Sequence, residues 1–472
     1  MMANLLSSLD LPAGARVLAQ VEKSVEAMML YLATLRAGLV YIPLNTAYQK
    51  AEIAYFIQDA EPAVVVCSAE NFGWISKMAF LAGTSNVFTL NEDRTGSLLT
   101  RAAQHSVHHT TITVQPDDMA AIIYTSGTTG RSKGAMLTHH HLLSNAIVLQ
   151  QYWGWRSGAS KEGRDVLLHT LPIFHVHGLF VALHGALLSG SKMIWLAKFD
   201  PSTVLAKLPE ATVFMGVPTL YVRLLGEAGL TRALTQGVRL FISGSAPMLL
   251  DTFRQWQDRT GHAILERYGM SETVMLSSNP YRETDGQRIG GTVGPALPGV
   301  HLRVTTETGT EAAAGQVGGI EVKGDGVFKG YWRMPDKIRE AFTPDGFFRT
   351  GDMGYVDDKG YVTIVGRSKD LIISGGYNVY PAEIEGYINS LAGVAESALI
   401  GIPDAEFGEV GVALVVAKPG DVLLPEAIIA TLKSMVANFK VPKRCVVVVD
   451  LPRNAMGKVQ KNLLRAQYAE TA

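Results

Sequence analysis

The segment at residues 124–134, YTSGTTGRSKG, constrains this chain more than any other stretch. It follows the apolar run 120–123 and combines threonines, serines and glycines with an arginine and a lysine. Glycines let main-chain N–H groups approach phosphate oxygens, hydroxyls donate further hydrogen bonds, and Lys133 supplies positive charge. Because Gly134 follows the lysine, the spacing is not the Walker pattern. An ordinary surface loop is the alternative, but this order of residues favours a loop that wraps polyphosphate.

Composition and charge exclude several classes of protein. The 472 residues are enough for more than one domain, and 42 basic side chains nearly balance 43 acidic ones, which argues against nucleic-acid binding. Cys67 and Cys445 lie far apart without metal-site spacing, which favours a reducing compartment. No apolar run has the length of a membrane span, and the N-terminal residues do not resemble a signal peptide. We therefore expect a cytoplasmic enzyme.

Apolar runs indicate the order of strands and helices. Short buried strands are predicted at residues 63–67, 193–196, 213–215 and 240–242. They alternate with helical stretches, a pattern typical of parallel α/β layers. From about residue 299 the chain becomes β-rich, with Gly and Asp turns. The charged segment 366–370 lies between two apolar runs and fits a hinge between domains.

Four motifs together resemble the adenylate-forming enzymes, which include acyl-CoA synthetases, peptide-synthetase adenylation domains and luciferases. They are the loop at 124–134, YGMSET at 268–273, RTGD at 349–352 and PRNAMGK at 452–458. The resemblance implies that ATP activates a carboxylic acid as an acyl-adenylate, and that a thiol then displaces AMP in the CoA-ligase branch. It also implies an α/β fold with a large N-terminal domain of layered α/β subdomains, a β-barrel-like part, and a small α+β C-terminal lid.

The resemblance divides the chain into an AMP-binding domain at 1–366, a hinge at 367–370 and a lid at 371–472. The first domain looks shortened at its start, because family members usually carry a further strand and helix there. Lys369 matches the hinge position about which the lid turns between the two half-reactions. The loop implied to line the CoA tunnel comprises Ser374, Gly375, Gly376 and Tyr377. Adjacent glycines leave room for a thiol arm, which favours a CoA ligase.

By the same resemblance, one set of residues surrounds the nucleotide. Glu272 holds Mg²⁺, which prefers carboxylate and phosphate oxygens, and Thr273 meets the α-phosphate. Asp352, with Arg367 beside it, accepts the ribose hydroxyls, and Tyr268 can stack on adenine. Taken alone, TGD is a common turn and Glu272 could be a capping carboxylate. The implied ATP and AMP contacts are Thr125, Ser126, Gly127, Thr128, Thr129, Gly130, Lys133, Gly244, Ser245, Ala246, Glu266, Arg267, Tyr268, Gly269, Met270, Ser271, Thr273, Asp352, Arg367 and Lys458.

The residues implied to be catalytic are Lys458, Thr125 and Glu272. Lys458 would bridge the substrate carboxylate and the α-phosphate while negative charge builds up, and a preorganised positive charge there is an effective catalyst. A solvated C-terminal lysine is the alternative interpretation. Whether acetylation of Lys458 regulates the enzyme stays open.

The acid is harder to predict than the reaction. The blocks GVPTLYVRLL, LFISGSAPM and LERYGMSET resemble those of malonate-activating members of the family. Arg223, with Ser245 nearby, would then pair with the distal carboxylate of malonate. An arginine that extends outward to solvent is the alternative. His175 is placed at the gate between acid pocket and thiol tunnel, and His177 is as readily a core histidine.

Three other functions stay open. A ligase for another short or branched acid, such as methylmalonate, would share all of these motifs. A stand-alone adenylation module would load a carrier-protein thiol instead of CoA. A non-catalytic family member is disfavoured because Lys458, Glu272 and Lys133 are all present. The co-substrates implied by the favoured interpretation are malonate, ATP with Mg²⁺, and CoA.

Overall fold

The computed structural model describes residues 1–125, 132–158, 163–374, 377–404, 407–454 and 457–469. Within these ranges the strands form four sheets. Three sheets make up a large N-terminal domain, and the fourth belongs to a smaller C-terminal domain. This mixed α/β architecture is the one that the sequence predicts.

The first sheet contains six strands, of which five are joined by parallel pairings. Its elements are α1 (Met2–Ser7), β1 (Arg16–Gln20), α2 (Val25–Arg36), β2 (Val40–Pro43), α3 (Lys50–Ala60), β3 (Val64–Cys67), α4 (Ala69–Leu81), β4 (Asn86–Thr89), α5 (Ser97–Ala102), β5 (Met119–Thr125), β6 (Lys133–Thr138) and α6 (His139–Tyr152). The strand order is β4-β3-β1-β2-β5-β6, and the edge pair β5–β6 is antiparallel. The strands β2 and β3 are buried along their whole length, as expected for a parallel sheet covered on both faces.

The second sheet also has six strands, in the order β12-β11-β10-β9-β7-β8. Its elements are β7 (Val166–His169), a π-helical segment (His177–Ala182), α7 (Leu183–Leu188), β8 (Lys192–Trp195), α8 (Pro201–Lys207), β9 (Val213–Gly216), α9 (Pro218–Leu225), α10 (Arg232–Thr235), β10 (Leu240–Ser243), α11 (Leu250–Thr260), β11 (Leu265–Tyr268) and β12 (Ser277–Ser278). The short strand β12 is antiparallel to β11, whereas the other pairings are parallel. Helices start at residues suited to capping; for example, Asp200 accepts the main-chain N–H of Thr203.

The third sheet is antiparallel and corresponds to the part expected to be barrel-like. Its strands, in the order β13-β14-β15-β16, and the helix beside them are β13 (His301–Thr305), β14 (Gly318–Lys323), α12 (Pro335–Ala341), β15 (Phe348–Val356) and β16 (Val362–Arg367). A 3₁₀ turn at Ser368–Asp370 then leads to the C-terminal domain.

The C-terminal sheet is formed by β17 (Ile372–Ser374), β18 (Tyr377–Val379), β19 (Val394–Asp404), β20 (Gly408–Ala417) and β21 (Arg444–Val448), with helices α13 (Pro381–Asn389), α14 (Pro425–Met435) and α15 (Lys461–Ala469). The long hairpin of β19 and β20 is its centre. Buried side chains form one cluster on each face of this sheet, so the domain has a core of its own. Among the described residues, no helix combines the length and apolar character needed to cross a membrane.

Candidate active site

Strand ends from two sheets meet at one place. Tyr268 is the last residue of β11, Asp352 lies in β15, and Arg367 ends β16. The Tyr268 hydroxyl donates to the Asp352 carboxylate and so connects the second and third sheets. Ligands of open α/β sheets bind at the carboxyl ends of the strands. This junction is therefore where a substrate site is expected.

The Asp352 carboxylate is buried and fully paired. Arg367 Nε lies 2.7 Å from its Oδ1 atom, and the Tyr268 hydroxyl contacts the other oxygen. Arg367 also donates to the main-chain oxygen of Thr350 over 3.3 Å. Burial, followed by the charge of Asp352, raises the pKa of Tyr268 well above its ordinary value, so the phenol stays a proton donor. Two acceptor oxygens are thus held in place, as hydroxyl recognition requires.

The Glu272 carboxylate lies on the same side of the site. It accepts a hydrogen bond from the Tyr331 hydroxyl over 3.1 Å, and the Lys133 ammonium lies 4.7 Å from the centroid of the Tyr331 ring. Burial raises the pKa of Glu272, against the opposing positive charges of Arg367 and Lys133. We call Tyr268, Glu272, Tyr331, Asp352 and Arg367 the carboxylate half of the site.

The Glu272 side chain fits a role as a Mg²⁺ ligand. No three His, Cys, Asp or Glu residues cluster as a metal site in the described ranges, so a cation there would depend on ligands from a substrate. Mg²⁺ commonly takes one or two carboxylates together with phosphate oxygens. A buried carboxylate with one weak partner would be stabilised by such a cation.

The C-terminal domain contributes Lys458 to this junction. Its main-chain N–H donates to Asn454 Oδ1 over 3.0 Å. The preceding residue, Gly457, has a φ of +72°, and a Cβ there would lie 3.0 Å from Thr219 Oγ1 of α9. Crowding by protein atoms and then the charge of Arg367 lower the pKa of Lys458 towards about 8. The residue is nevertheless exposed to solvent.

A second, more basic half of the site surrounds Arg267. This side chain is 3 % exposed, and its Nε and Nη2 atoms have no hydrogen-bond partner within the described parts of the chain. Burial lowers its pKa to about 9. A Cβ on Gly244 would lie 2.6 Å from the guanidinium carbon, so the glycine leaves the space that the arginine occupies. The guanidinium is therefore enclosed, and two of its donors lack a partner among the described residues.

Ser245 and two histidines complete this half. Ser245 Oγ lies 3.2 Å from His177 Nδ1. The Nε2 atoms of His177 and His175 are buried, and neither has a partner among the residues described. Burial and then the charge of Lys458 lower the pKa of His175 to about 3, so it is neutral near pH 7. We call Arg267, Ser245, His175 and His177 the guanidinium half.

Glu266 precedes Arg267 on β11 and points away from it. Its carboxylate is buried and accepts the Gly291 N–H over 2.9 Å. Burial raises its pKa to about 7. Alternation along the strand thus separates the acid from the arginine, so the two do not form an ion pair.

Arg223, which is predicted to line the wall of the acid pocket, lies on the exposed face of α9. Its side chain is exposed, and its guanidinium lies 4.7 Å from the centroid of the Phe199 ring. The physical reason is the orientation of α9, which buries Pro218, Tyr221 and Leu224. Arg223 lies outside that buried face. The arginine that is enclosed at the site is Arg267.

The phosphate loop is described only at its ends. Thr125 pairs with Lys133 across β5 and β6, and the Thr125 hydroxyl donates to the Lys133 main-chain oxygen over 3.4 Å. The predicted contacts Ser126, Gly127, Thr128, Thr129 and Gly130 lie outside the described residues. The two strands therefore hold the loop ends beside the carboxylate half, because the Lys133 ammonium reaches Tyr331.

The segment after β11 is held by contacts within the segment itself. The Thr273 hydroxyl accepts the Met270 N–H over 3.3 Å, and Thr273 is fully buried. A Cβ on Gly269 would lie 1.9 Å from the Val274 oxygen, so only glycine fits. Ser271 and Ala246 are half-buried at the edge of the same region.

The predicted hinge and tunnel residues lie outside this cluster. Lys369 is exposed in the 3₁₀ turn, and its neighbour Asp370 pairs with Arg465 of α15 over 2.7 Å. Ser374 is buried, whereas Tyr377 is 59 % exposed and stacks on Phe439. The other two tunnel residues, Gly375 and Gly376, fall outside the described ranges.

Sequence reasoning missed three features of the site. It assigned Arg267 to the nucleotide and did not anticipate that two donors of this side chain lack a partner among the described residues. It did not identify Tyr331, and it left His177 without a role. Only the unpaired state of Arg267 could have been predicted from the sequence. Side chains alternate along the strand LERY, so Glu266 and Arg267 point to opposite faces.

Comparison with known proteins agrees with this geometry. The model of the AMP-binding enzyme family matches residues 1–332, and the model of the C-terminal domain of these enzymes matches residues 383–458. A malonate–CoA ligase of Arabidopsis thaliana is 35% identical over 96% of this chain and 78% of its own length. A long-chain-fatty-acid–CoA ligase, FadD13 of Mycobacterium tuberculosis, is 34% identical over 99% of this chain and 91% of its own.

Solved structures are more similar still. ATP-bound MatB from Rhodopseudomonas palustris is 54% identical, covers 100% of this chain and 92% of its own, and superimposes with a TM-score of 0.95. The same relative without ligand, with equal identity and coverage, gives 0.83. The domain arrangement described here is therefore nearer to the ATP-bound form, with Lys458 inside the site. This chain belongs to the AMP-binding enzymes and is an adenylate-forming acyl-CoA ligase that uses ATP and CoA.

Proposed function

We propose that this chain is an ATP-dependent malonate–CoA ligase that forms malonyl-CoA through malonyl-adenylate and releases AMP and pyrophosphate. The choice of malonate as the acid rests on Arg267, a buried guanidinium with two donors that lack a partner among the described residues. An unpaired buried charge is destabilising, and a second carboxylate on the substrate supplies the missing partner. An acid with an apolar tail would leave the guanidinium unpaired.

Sequence identity alone does not choose between acids. Relatives that act on malonate and on long-chain fatty acids match this chain almost equally well, at 35% and 34% identity. The polar character of the pocket discriminates where identity does not. Arg267, Ser245, His175 and His177 offer polar contacts, which suit a second carboxylate better than an apolar tail.

The first half-reaction follows from the two halves of the site. One carboxylate of malonate attacks the α-phosphorus of ATP, the bond to the β-phosphate oxygen breaks, and pyrophosphate leaves. Lys458 neutralises the charge that builds up between the carboxylate and the α-phosphate. Asp352 and Arg367 hold the ribose, while Thr125 and Lys133 anchor the phosphate loop. Mg²⁺, held by Glu272 and by phosphate oxygens, would supply further charge neutralisation.

The second half-reaction requires that the lid turns. We propose that residues 1–366 form the stationary domain, that residues 367–370 are the hinge, and that residues 371–472 rotate. The thiolate of CoA then attacks the acyl carbonyl, and AMP leaves. Ser374 and Tyr377 would flank the path of the thiol, with His175 at the gate to the acid pocket. The exposed position of Lys369 allows its backbone to change conformation without breaking a packed core.

An acid panel tests this function. The enzyme is incubated with ATP, Mg²⁺, CoA and either malonate, methylmalonate, succinate, acetate or butyrate, without carrier protein, and thioesters are measured by mass spectrometry. We expect malonyl-CoA to form fastest. Faster formation of butyryl-CoA would contradict the malonate assignment. Release of pyrophosphate without any CoA thioester would indicate a module that loads a carrier protein.

A further inference from the structure

Ser245 holds a backbone conformation that serine rarely adopts. Its φ is +72°, in the left-handed region that glycine occupies without strain. It follows β10 and Gly244, the glycine whose α-carbon faces the Arg267 guanidinium. A glycine at this position would remove the strain, so the hydroxyl is what the serine adds to the site. Strain of this kind is commonly found at functional sites.

The hydroxyl of Ser245 has His177 as its partner. His177 is 2 % exposed and begins the π-helical segment, an irregularity common at functional sites. The next residue, Gly178, packs so closely that a Cβ there would lie 2.0 Å from the Pro172 oxygen. The imidazole thus contacts Ser245 from a tightly packed segment.

The chemistry of a carboxylate decides the direction of this hydrogen bond. A carboxylate only accepts hydrogen bonds, so Ser245 must donate its proton to a bound acid. His177 Nδ1 must then carry a proton and donate to the Ser245 oxygen. This tautomer leaves Nε2 without a proton, which agrees with its lack of a partner in the described structure, because unpartnered buried N–H groups are rare.

We propose that His177 is a positioning residue for the acid. As the Nδ1–H tautomer it holds the Ser245 hydroxyl so that the hydroxyl proton faces the distal carboxylate bound by Arg267. The inference rests on the proposed malonate specificity and adds to it a residue that acts through Ser245. Burial, and then the charges of Arg267, His169 and His175, lower the pKa of His177 well below its ordinary value. The neutral imidazole thus orients the Ser245 hydroxyl, while Arg267 supplies the positive charge for the carboxylate.

Two substitutions at His177 distinguish positioning from packing. In His177→Asn the side-chain amide can take the place of Nδ1, whereas in His177→Gln it extends towards the place of Nε2. We expect the KM for malonate to stay within about threefold of the parent in H177N and to rise at least tenfold in H177Q. The KM for ATP is measured in parallel as the internal control. Equal loss in both variants would overturn the proposal.

A double variant tests whether His177 acts through the hydroxyl. Ser245→Gly removes the hydroxyl and relieves the strain, so we expect a higher KM for malonate with an unchanged or higher unfolding temperature. Adding H177Q to S245G should raise the KM for malonate no further, because the group that His177 positions is already gone. Additive effects would overturn the proposal.

A spectroscopic measurement on the parent protein tests the tautomer of His177 directly. The nitrogen-15 chemical shifts of His177 report which ring nitrogen carries the proton, and the signal is assigned by its loss in H177N or its shift in S245G. We expect a protonated Nδ1, and a protonated Nε2 with bare Nδ1 would overturn the tautomer. If the parent does not turn over malonate at all, the proposed function fails as well. If the parent turns over malonate but His177 carries its proton on Nε2, or the effects of S245G and H177Q add, only the positioning role of His177 is rejected.

Discussion

The carboxylate half and the guanidinium half of the site satisfy their charges differently. Asp352 is paired with Arg367 over 2.7 Å and with the Tyr268 hydroxyl. Arg267 is equally buried, yet two of its nitrogen atoms have no partner in the described structure. The Asp352 carboxylate is thus paired before a substrate arrives, whereas we propose that Arg267 gains its partner from the substrate.

This difference teaches where specificity can arise. A paired carboxylate can accept hydroxyl groups from any nucleotide that fits, at little reorganisation cost. An unpaired guanidinium instead rejects every acid that leaves it unpaired. All acyl-CoA ligases need the first function, whereas the choice of acid depends on the second. The predictions below separate the two halves.

The largest effect is expected for Lys458→Ala. Adenylation of malonate should fall roughly a thousandfold, because a preorganised charge at the reacting phosphate is lost. Thioester formation from supplied malonyl-adenylate should change little, since the lysine faces the site only in the adenylating arrangement. Both half-reactions are measured separately, with Lys443→Ala as the control on an exposed lysine of the same domain. Comparable loss of both would contradict the rotating lid.

A proline at the hinge should produce the next largest effect. Lys369→Pro fixes φ where the lid must turn, so thioester formation should slow about tenfold or more while adenylation slows less. Lys369→Ala removes the same side chain but leaves the backbone free, and it should behave like the parent. If the alanine and proline variants are equally slow, the side chain and not the rotation is responsible.

The pH dependence of adenylation should show the state of Lys458. The kcat/KM for malonate should fall about tenfold per pH unit on the alkaline side, because the neutral amine no longer stabilises the transition state. Crowding and the charge of Arg367 place this limb below lysine's ordinary value of 10.5, towards 8. A Lys458→Arg variant with residual activity should lose the limb. A limb that persists in that variant belongs to another group.

The smallest effect is expected for Arg223→Ala. The exposed stacking of its guanidinium on Phe199 contributes about 1 kcal/mol or less. The ratio of kcat/KM for malonate to that for butyrate should therefore change less than tenfold. A larger change would show that Arg223 turns inward when the acid binds and shares the distal carboxylate with Arg267.

Much of the fold could be predicted from local pattern, and less of the site. Buried strands such as Val64–Cys67 and Val213–Gly216 are short apolar runs, so their positions follow from the sequence. The motif around Glu272 is also local. The role of Arg223 depends on which face of α9 is buried, and that is decided by packing of Tyr221 and Leu224 against distant residues. The free donors of Arg267 are equally a property of the assembled site.

The most direct test of the account compares the buried Arg267 with the half-buried Arg288. Arg267→Met should lower the ratio of kcat/KM for malonate over butyrate about 30-fold or more, since removing one partner of a buried charge pair costs about 2–5 kcal/mol. Its unfolding temperature should not fall, because the Nε and Nη2 atoms of Arg267 donate no hydrogen bond to the described residues. Arg288→Met is the control, since Arg288 donates to the main-chain oxygens of Pro280, Ala263 and Tyr281.

For this control we expect lower stability and an unchanged acid ratio. The measurement is thus the malonate-to-butyrate ratio for the parent, Arg267→Met and Arg288→Met, with the thermal unfolding of each. A collapse of the ratio in the Arg267 variant alone, without loss of stability, is the predicted result. An unchanged ratio in that variant would show that Arg267 does not bind the distal carboxylate, and would contradict the account.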